Sequence, residues 1–342
     1  MPPRIPVAIL GATGAVGQRF VELLLDHPWF EIAALVASER SCGKPYEEAV
    51  NWMMAKPLPA WVARMTVESS SSKLKPKWLF SALDASVAQE IEERFLKEGY
   101  TIISNARNHR MLPQVPLVVP EVNGDHLSLL KTQTVGQIAC VPNCSTVGLT
   151  LALKPLHDLF DIDQLHVVTL QAISGAGYPG VPSLDIVDNV IPFISGEEAK
   201  IETEILKILG TPKKRADIRI SAHCNRVAVT DGHTACVSIK FKKKASLDAI
   251  FDAWRSFAPL DLPSAPKQPI WVHYEDSFPQ PKLHRHHDKG MAVHVGRLRP
   301  CPLFDYKFTL LSHNTVRGAA GGAILIAEQM LASENLSNAP LR

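Results

Sequence analysis

Ile5-Pro-Val-Ala-Ile-Leu-Gly-Ala-Thr-Gly-Ala-Val-Gly-Gln-Arg-Phe20 is the stretch on which the fold turns. Ile5 to Leu10 is a short apolar run of strand character. Gly11-Ala-Thr-Gly14-Ala-Val-Gly17 turns the chain, and Gln18 to Leu25 continues with Phe20, Leu23 and Leu24 at helical spacing. Strand, glycine turn and helix in this order form the unit in which free N–H groups at a helix start cradle a pyrophosphate. A glycine turn alone is also ordinary punctuation, and G-x-x-G-x-x-G is not the commonest dinucleotide spacing. The nucleotide reading rests on the flanking elements, including a second strand, Ile32 to Ala37, at the right distance. It makes Gly11, Thr13, Gly14, Ala15, Val16 and Gly17 the expected phosphate cradle.

The residues after that second strand choose the cofactor. An NAD site wants a carboxylate there to accept from the ribose hydroxyls, whereas this chain has Ala37-Ser-Glu-Arg-Ser-Cys-Gly43. Ser38, Arg40 and Ser41 are donors suited to a 2′-phosphate, so NADP is expected. Glu39 would face the ribose only if the turn were rotated by one residue.

Strands at Trp78 to Leu83, Tyr100 to Ser104 and Gln137 to Val141, with a helix from Ala85 to Lys97, extend the alternation and predict a parallel sheet with helices on both faces. Beyond a helix from Thr146 to Leu159 the texture changes. Strands at Leu165 to Ile173, Thr234 to Phe241 (Cys236, Ile239 and Phe241 taken as its alternation), Ala292 to Val295 and Tyr306 to Leu311 predict a second, mainly antiparallel unit with helices at Gly196 to Lys207 and Leu247 to Phe257. The apolar helix Ala323 to Leu331 is expected to return to the first unit. The expected fold class is therefore α/β: a Rossmann-like doubly wound parallel sheet, residues 1–145 and 318–342, plus an α+β unit with a mainly antiparallel sheet, 146–317. A chain of 342 residues accommodates two such cores.

A net charge of +2 calls for neither nucleic acid nor an anionic membrane. No window is apolar for the ~18 residues that a spanning helix requires. The N-terminal apolar run is too short for a secretion signal, so a soluble, cytoplasmic protein is expected. Six cysteines without a tight framework agree with a reducing compartment, and their spacings supply no structural zinc site. His284-Arg-His-His287 in a Pro-rich loop reads as hydrated surface, and Glu197 with Lys200, spaced i,i+3, reads by default as a solvated ion pair.

Val141-Pro-Asn-Cys-Ser-Thr146 places Cys144 ahead of an apolar run at helical spacing, Val147 to Leu156. A thiol at a helix start is favoured as the thiolate by unpaired N–H groups and the helix dipole. Most free cysteines are small apolar filler, so the position alone makes Cys144 only a candidate nucleophile.

Taken together, these pieces resemble the aspartate-β-semialdehyde dehydrogenases, especially their fungal and archaeal branch. The matching stretches are Gly11 to Gly17, Ser38 to Gly43, Val119-Pro-Glu-Val-Asn123, Pro142 to Thr146, Gln171 with Ser174-Gly-Ala-Gly177, Arg226 to His233, and Ser312-His-Asn-Thr-Val-Arg-Gly-Ala-Ala-Gly321. They span nearly the whole chain in the family's order. Ala228, Ala235-Cys236 and Lys289 depart from its pattern. The resemblance implies that Cys144 is the acylated nucleophile, His233 the general acid/base, Gln171 an orienting residue and Arg226 the clamp on a substrate carboxylate. It implies phosphate and substrate roles for Arg110, Asn143, Glu197 and Lys200, with Ser174 and Gly175 lining the substrate loop and Asn314 beside the nicotinamide. The implied reaction is the reversible NADPH-dependent reduction of L-aspartyl-4-phosphate to the semialdehyde, on the path to lysine, threonine and methionine, by a homodimer or homotetramer. N-acetylglutamyl-phosphate reductase and malonyl-CoA reductase use similar folds and a cysteine, and a non-catalytic NADP-binding regulator is the reading from another class.

Overall fold

The computed structural model describes residues 3–337, so the outermost ends assigned to the first unit, 1–2 and 338–342, lie outside the described residues. The first sheet contains β1 (Ile5–Leu10), β2 (Phe30–Ala37), β3 (Val67–Ser69), β4 (Trp78–Ser81), β5 (Thr101–Ser104) and β6 (Gln137–Cys140). All its pairings are parallel, in the order β3-β2-β1-β4-β5-β6. Val7, Ala8, Ile9 and Leu10 are buried, as strands covered on both faces require. The order reverses between β1 and β4, and the carboxyl ends of strands at such a switch point form the ligand crevice of doubly wound folds.

The second sheet contains β7 (Ile162–Gln171), β8 (Arg219–Arg226), β9 (His233–Phe241), β10 (Ile270–Val272), β11 (Val293–Pro300) and β12 (Tyr306–Ser312). Its order is β10-β11-β12-β9-β7-β8, antiparallel except for the pairs β10–β11 and β7–β8. The α/β class, parallel plus mainly antiparallel, is as expected. The longer helices are α1 (Ala15–Leu24), α2 (Ala85–Lys97), α3 (Cys144–Phe160), α4 (Glu197–Ile208), α5 (Leu247–Arg255) and α6 (Gly321–Ser337). α3 packs under the second sheet with α5, where the Trp254 indole donates to Ala152 O at 2.8 Å and its ring meets Phe308 at 5.1 Å between centroids. α6 packs against β5 of the first sheet.

Three expectations need correction. β3, β8 and β10 were absent from the sequence reading; each lies at the edge of its sheet, where a strand is paired on one side only and carries a short or polar sequence. Cys236 is exposed and does not share the inward face of Ile239 and Phe241, because side chains alternate along β9. The histidine-rich loop is not simply a hydrated surface: His284 and His294 are buried and His287 is half-buried, while Lys282, Leu283, His286 and Lys289 are exposed. His273 and His294 share a hydrogen bond of 3.0 Å, and ring centroids stand 4.6 Å apart for His273–His284 and 4.9 Å for His287–His294. Neutral imidazoles stack and pack as aromatic rings, which lets Pro281–His284 fold inward as a short helix.

Candidate active site

β6 leads through Pro142 to Asn143, whose side-chain oxygen accepts from Ser145 N at 3.0 Å and caps α3. α3 begins at Cys144, two residues earlier than periodicity indicated, because the polar cap precedes the apolar run. The backbone behind Cys144 is crowded. A Cβ on Gly318 would stand 2.8 Å from both Cys144 Cα and Cβ, so only glycine fits there. Gly318 belongs to a single π-helical turn, Val316–Ala320. Arg317 of that turn, fully buried, makes a two-pronged pair with the Glu121 carboxylate, its Nη1 donating to Oε1 at 2.8 Å.

Cys144 Sγ lies 3.2 Å from His233 Nε2. Ala172 N donates to His233 Nδ1 at 3.0 Å, so the neutral ring carries its proton on Nε2 and directs it at the sulfur. Burial pushes His233 down to about 3, with Arg226 and His313 adding to the shift and Asp231 opposing it. Burial pushes the Cys144 thiol up to about 12, and Glu197 adds to that, while Arg110, Arg226 and Lys200 pull it down. These three cations, the Nε2–H and the helix start act in the thiolate's favour and oppose the desolvation that sets the net upward shift.

Arg226, at the end of β8, is buried and donates through Nη1 to Ala172 O at 2.7 Å. A Cβ on Gly175 would come within 2.8 Å of Arg226 Nη1 and 3.1 Å of His233 Cε1, so this glycine makes the room in which both side chains meet. Asn314 joins two loops: its Oδ1 accepts from Gly232 N at 2.9 Å and its Nδ2 donates to Ser174 Oγ at 2.8 Å. Gln171 is buried, with Nε2 3.3 Å from Glu197 Oε2.

The Glu197–Lys200 pair is not the solvated pair that i,i+3 spacing suggests. Glu197 is 6% exposed, and its Oε2 accepts from Asn143 Nδ2 at 2.8 Å while Lys200 Nζ meets Oε1 at 2.5 Å. Burial pushes its carboxyl up, but Lys200, Asn143 and Gln171 outweigh that and hold it below the usual range. Two further residues on the same face of α4 escaped the sequence reading. Glu204 accepts from Arg110 Nη1 at 2.9 Å and from Asn143 N at 2.7 Å. Lys207 Nζ donates to three carbonyls, Arg110 O at 2.7 Å, Leu112 O at 2.9 Å and Val115 O at 2.8 Å. The available signal was the continued spacing of charge from 197 and 200 to 204 and 207, a helical face rather than an isolated pair.

The structure thus gathers Cys144, His233, Gln171, Arg226, Glu197, Lys200, Arg110, Asn143, Ser174, Gly175 and Asn314 around the start of α3. Gly11 to Gly17 and Ser38 to Ser41 stand separately at the carboxyl ends of β1 and β2. Gly11 adopts φ +75°, and a Cβ on Gly17 would fall 2.2 Å from Gly11 O, so the turn closes only with these glycines. No side chain caps α1 at Gly14, so the turn that holds Thr13, Ala15 and Val16 fits a pyrophosphate bound by backbone N–H groups. Glu39 is engaged by the Ser69 hydroxyl, which turns it toward β3 rather than toward a ribose.

Residues 6–130 match the family described as semialdehyde dehydrogenase, NAD binding domain, and residues 153–317 match semialdehyde dehydrogenase, dimerisation domain. The aspartate-semialdehyde dehydrogenase of Archaeoglobus fulgidus is 46% identical over 338 residues, 96% of this chain and 98% of its own length. That of Schizosaccharomyces pombe is 48% identical over 345 residues, covering 94% and 96%. The crystal structure of aspartate semialdehyde dehydrogenase with NADP from Candida albicans is similar at a TM-score of 0.89 and 41% identity, covering 97% of this chain and 99% of that chain. The resemblance read from the motifs is borne out, and the chain belongs to the aspartate-semialdehyde dehydrogenase family.

Proposed function

We propose that the protein interconverts L-aspartyl-4-phosphate and L-aspartate-4-semialdehyde plus phosphate with NADP as the hydride carrier. The carrying observation is the Cys144–His233 contact of 3.2 Å at the start of α3, surrounded by Arg226, Arg110 and Lys200. The names of the near relatives favour this acyl group over acetylglutamyl phosphate or malonyl-CoA, and the paired thiol and imidazole argue against a regulator without catalysis.

In this reading Gly11, Thr13, Gly14, Ala15, Val16 and Gly17 hold the cofactor's pyrophosphate, Ser38, Arg40 and Ser41 its 2′-phosphate, and Asn314 lies by the nicotinamide. The cofactor, when bound, supplies hydride exchange at the carbon bonded to Cys144. Cys144 Sγ attacks the acyl phosphate, the C–S bond forms as the C–O bond to phosphate breaks, and the enzyme holds a thioester. A thioester accepts hydride more readily than a carboxylate, which is why a thiol suits the task. The Cys144 N–H and Asn143 stabilise the oxygen as charge develops on it, ~3 kcal/mol per donor. His233, through Nε2, exchanges the proton of the thiohemiacetal as it forms or collapses. Arg226 clamps the substrate carboxylate, Gln171 orients the chain, Glu197 complements its ammonium, and Arg110 with Lys200 bind phosphate beside Ser174 and Gly175.

We assign residues 1–145 and 318–342 to cofactor binding and 146–317 to catalysis and dimerisation. The enzyme is an oligomer of identical chains, a homodimer or homotetramer, built through the second unit, where Leu184, Val187 and Phe193 are exposed apolar residues within the matched dimerisation region. No helix among the described residues is long and apolar enough to cross a membrane, in keeping with a cytoplasmic site of action. Cys144→Ala is expected to abolish phosphate-dependent NADP reduction with the semialdehyde while leaving NADP binding intact; retained turnover sinks the proposal.

A further inference from the structure

We propose that Glu204 is a positioning residue that couples the phosphate-binding guanidinium of Arg110 to the backbone carrying the nucleophile. For its phosphate half, the proposal rests on the assignment of Arg110 given above. Glu204 is 2% exposed, and its two carboxylate oxygens serve different masters: Oε1 takes Arg110 Nη1 at 2.9 Å, and Oε2 takes Asn143 N at 2.7 Å, one residue before Cys144. A carboxylate this deeply buried is costly unless charge and hydrogen bonds compensate it, and here both partners belong to the site.

Arg110 is clamped from α4 at two levels. Lys207, one turn beyond Glu204, fixes the Arg110 carbonyl at 2.7 Å, while Glu204 fixes the side chain. Arg110 Nη2 donates to Asn105 O at 2.8 Å, and Arg110 Nε is buried with no partner among the described residues. The guanidinium is therefore held through two of its five N–H donors, and the buried Nε–H is still to be satisfied, the condition of a group that can take an anionic oxygen. Asn143 is held in three directions: its backbone N–H by Glu204, its amide nitrogen by Glu197 at 2.8 Å, and its amide oxygen by Ser145 N at 3.0 Å. A shift of Glu204 moves the Arg110 charge and the cap of α3 together, and both act on the Cys144 thiol.

Two substitutions separate the two bonds. Glu204→Gln keeps an oxygen for Asn143 N–H but turns an amide NH2 against Arg110. It is expected to raise the KM for phosphate about tenfold with kcat retained, the loss of one charge-assisted bond. Glu204→Ala removes both bonds and is expected in addition to lower kcat and to shift the pH profile of Cys144 alkylation by iodoacetamide, measured without substrate, by about one unit. A residue with a purely structural part would lower the melting temperature and leave both kinetic readouts in place. Arg110→Ala is the control. An unchanged phosphate KM in Arg110→Ala overturns the assignment of Arg110 and with it the phosphate half of the proposal; the substrate-free thiol titration judges the other half independently. A folded Glu204→Ala with the wild-type thiol titration, or Glu204→Gln with the wild-type phosphate KM where Arg110→Ala raises it, overturns the role of Glu204. If Glu204→Ala does not fold, Glu204→Asp takes its place in the titration, since its shorter carboxylate cannot hold both partners.

Discussion

Arg317→Met tests how the nucleophile is supported from behind. Arg317 and Glu121 have side-chain exposures of 0% and 1% and face each other through two parallel hydrogen bonds. Methionine leaves the Glu121 carboxylate buried with both donors gone. Stranding one member of a buried ion pair costs about 3–5 kcal/mol, against roughly zero when both members are replaced by apolar groups of similar volume. Arg317→Met should therefore lower the urea midpoint of the first unfolding transition by that equivalent, and Glu121→Leu with Arg317→Met should recover most of it. The pair also anchors the π-turn whose Gly318 abuts Cys144, so the single variant, assayed folded at low temperature, should alkylate more slowly at Cys144 than the double variant. A single variant that loses less than about 1 kcal/mol, or a double variant as unstable as the two singles summed, refutes the reasoning.

Two further outcomes follow from the same structure. Burial holds His233, His294 and His313 down to about 3, below the ordinary ~6.5 of an unfolded chain, so their neutral forms belong to the fold. Their contribution is complete above pH ~6.5 and is lost as pH falls toward the folded values, with a slope approaching ~1.4 kcal/mol per pH unit for each histidine. His294→Phe should flatten the acid limb of the unfolding curve by one such slope, and an acid limb identical to that of the wild type would exclude His294 as a contributor. Arg40→Ala should raise the KM for NADPH roughly tenfold and leave NADH nearly untouched, the loss of one charge-assisted phosphate contact; equal losses with both cofactors would remove Arg40 from the 2′-phosphate site.

The face of α4 shows why residue type and spacing undervalue a buried polar site. Glu197, Lys200, Glu204 and Lys207 have the look of a solvated helix face, and in an isolated helix they would be one. In the fold three of them meet partners distant in sequence, Asn143 and Gln171 for Glu197, Arg110 and Asn143 for Glu204, and the carbonyls of residues 110, 112 and 115 for Lys207, while Lys200 stays paired with Glu197. The histidine loop was misjudged for the same reason, since polarity along the chain does not disclose how many neutral rings will share one buried stack.

The sequence by itself determined what depends on local chemistry. The glycine turn after β1, the alternation of apolar strands and helices, the basic and hydroxyl residues after β2 and the capped cysteine at the start of α3 were legible because each is dictated by neighbours a few residues away. Edge strands β3, β8 and β10 were not legible, because an edge gains half the pairing and burial that make a strand conspicuous. Only the tertiary structure decided that Ala172 N–H would hold the His233 proton toward Cys144, that Glu39 would turn to Ser69, and that Glu204 would tie Arg110 to Asn143. These bonds join atoms separated by 30 to 94 residues. Their worth comes from exclusion of water, a property of the assembled fold and not of any stretch within it.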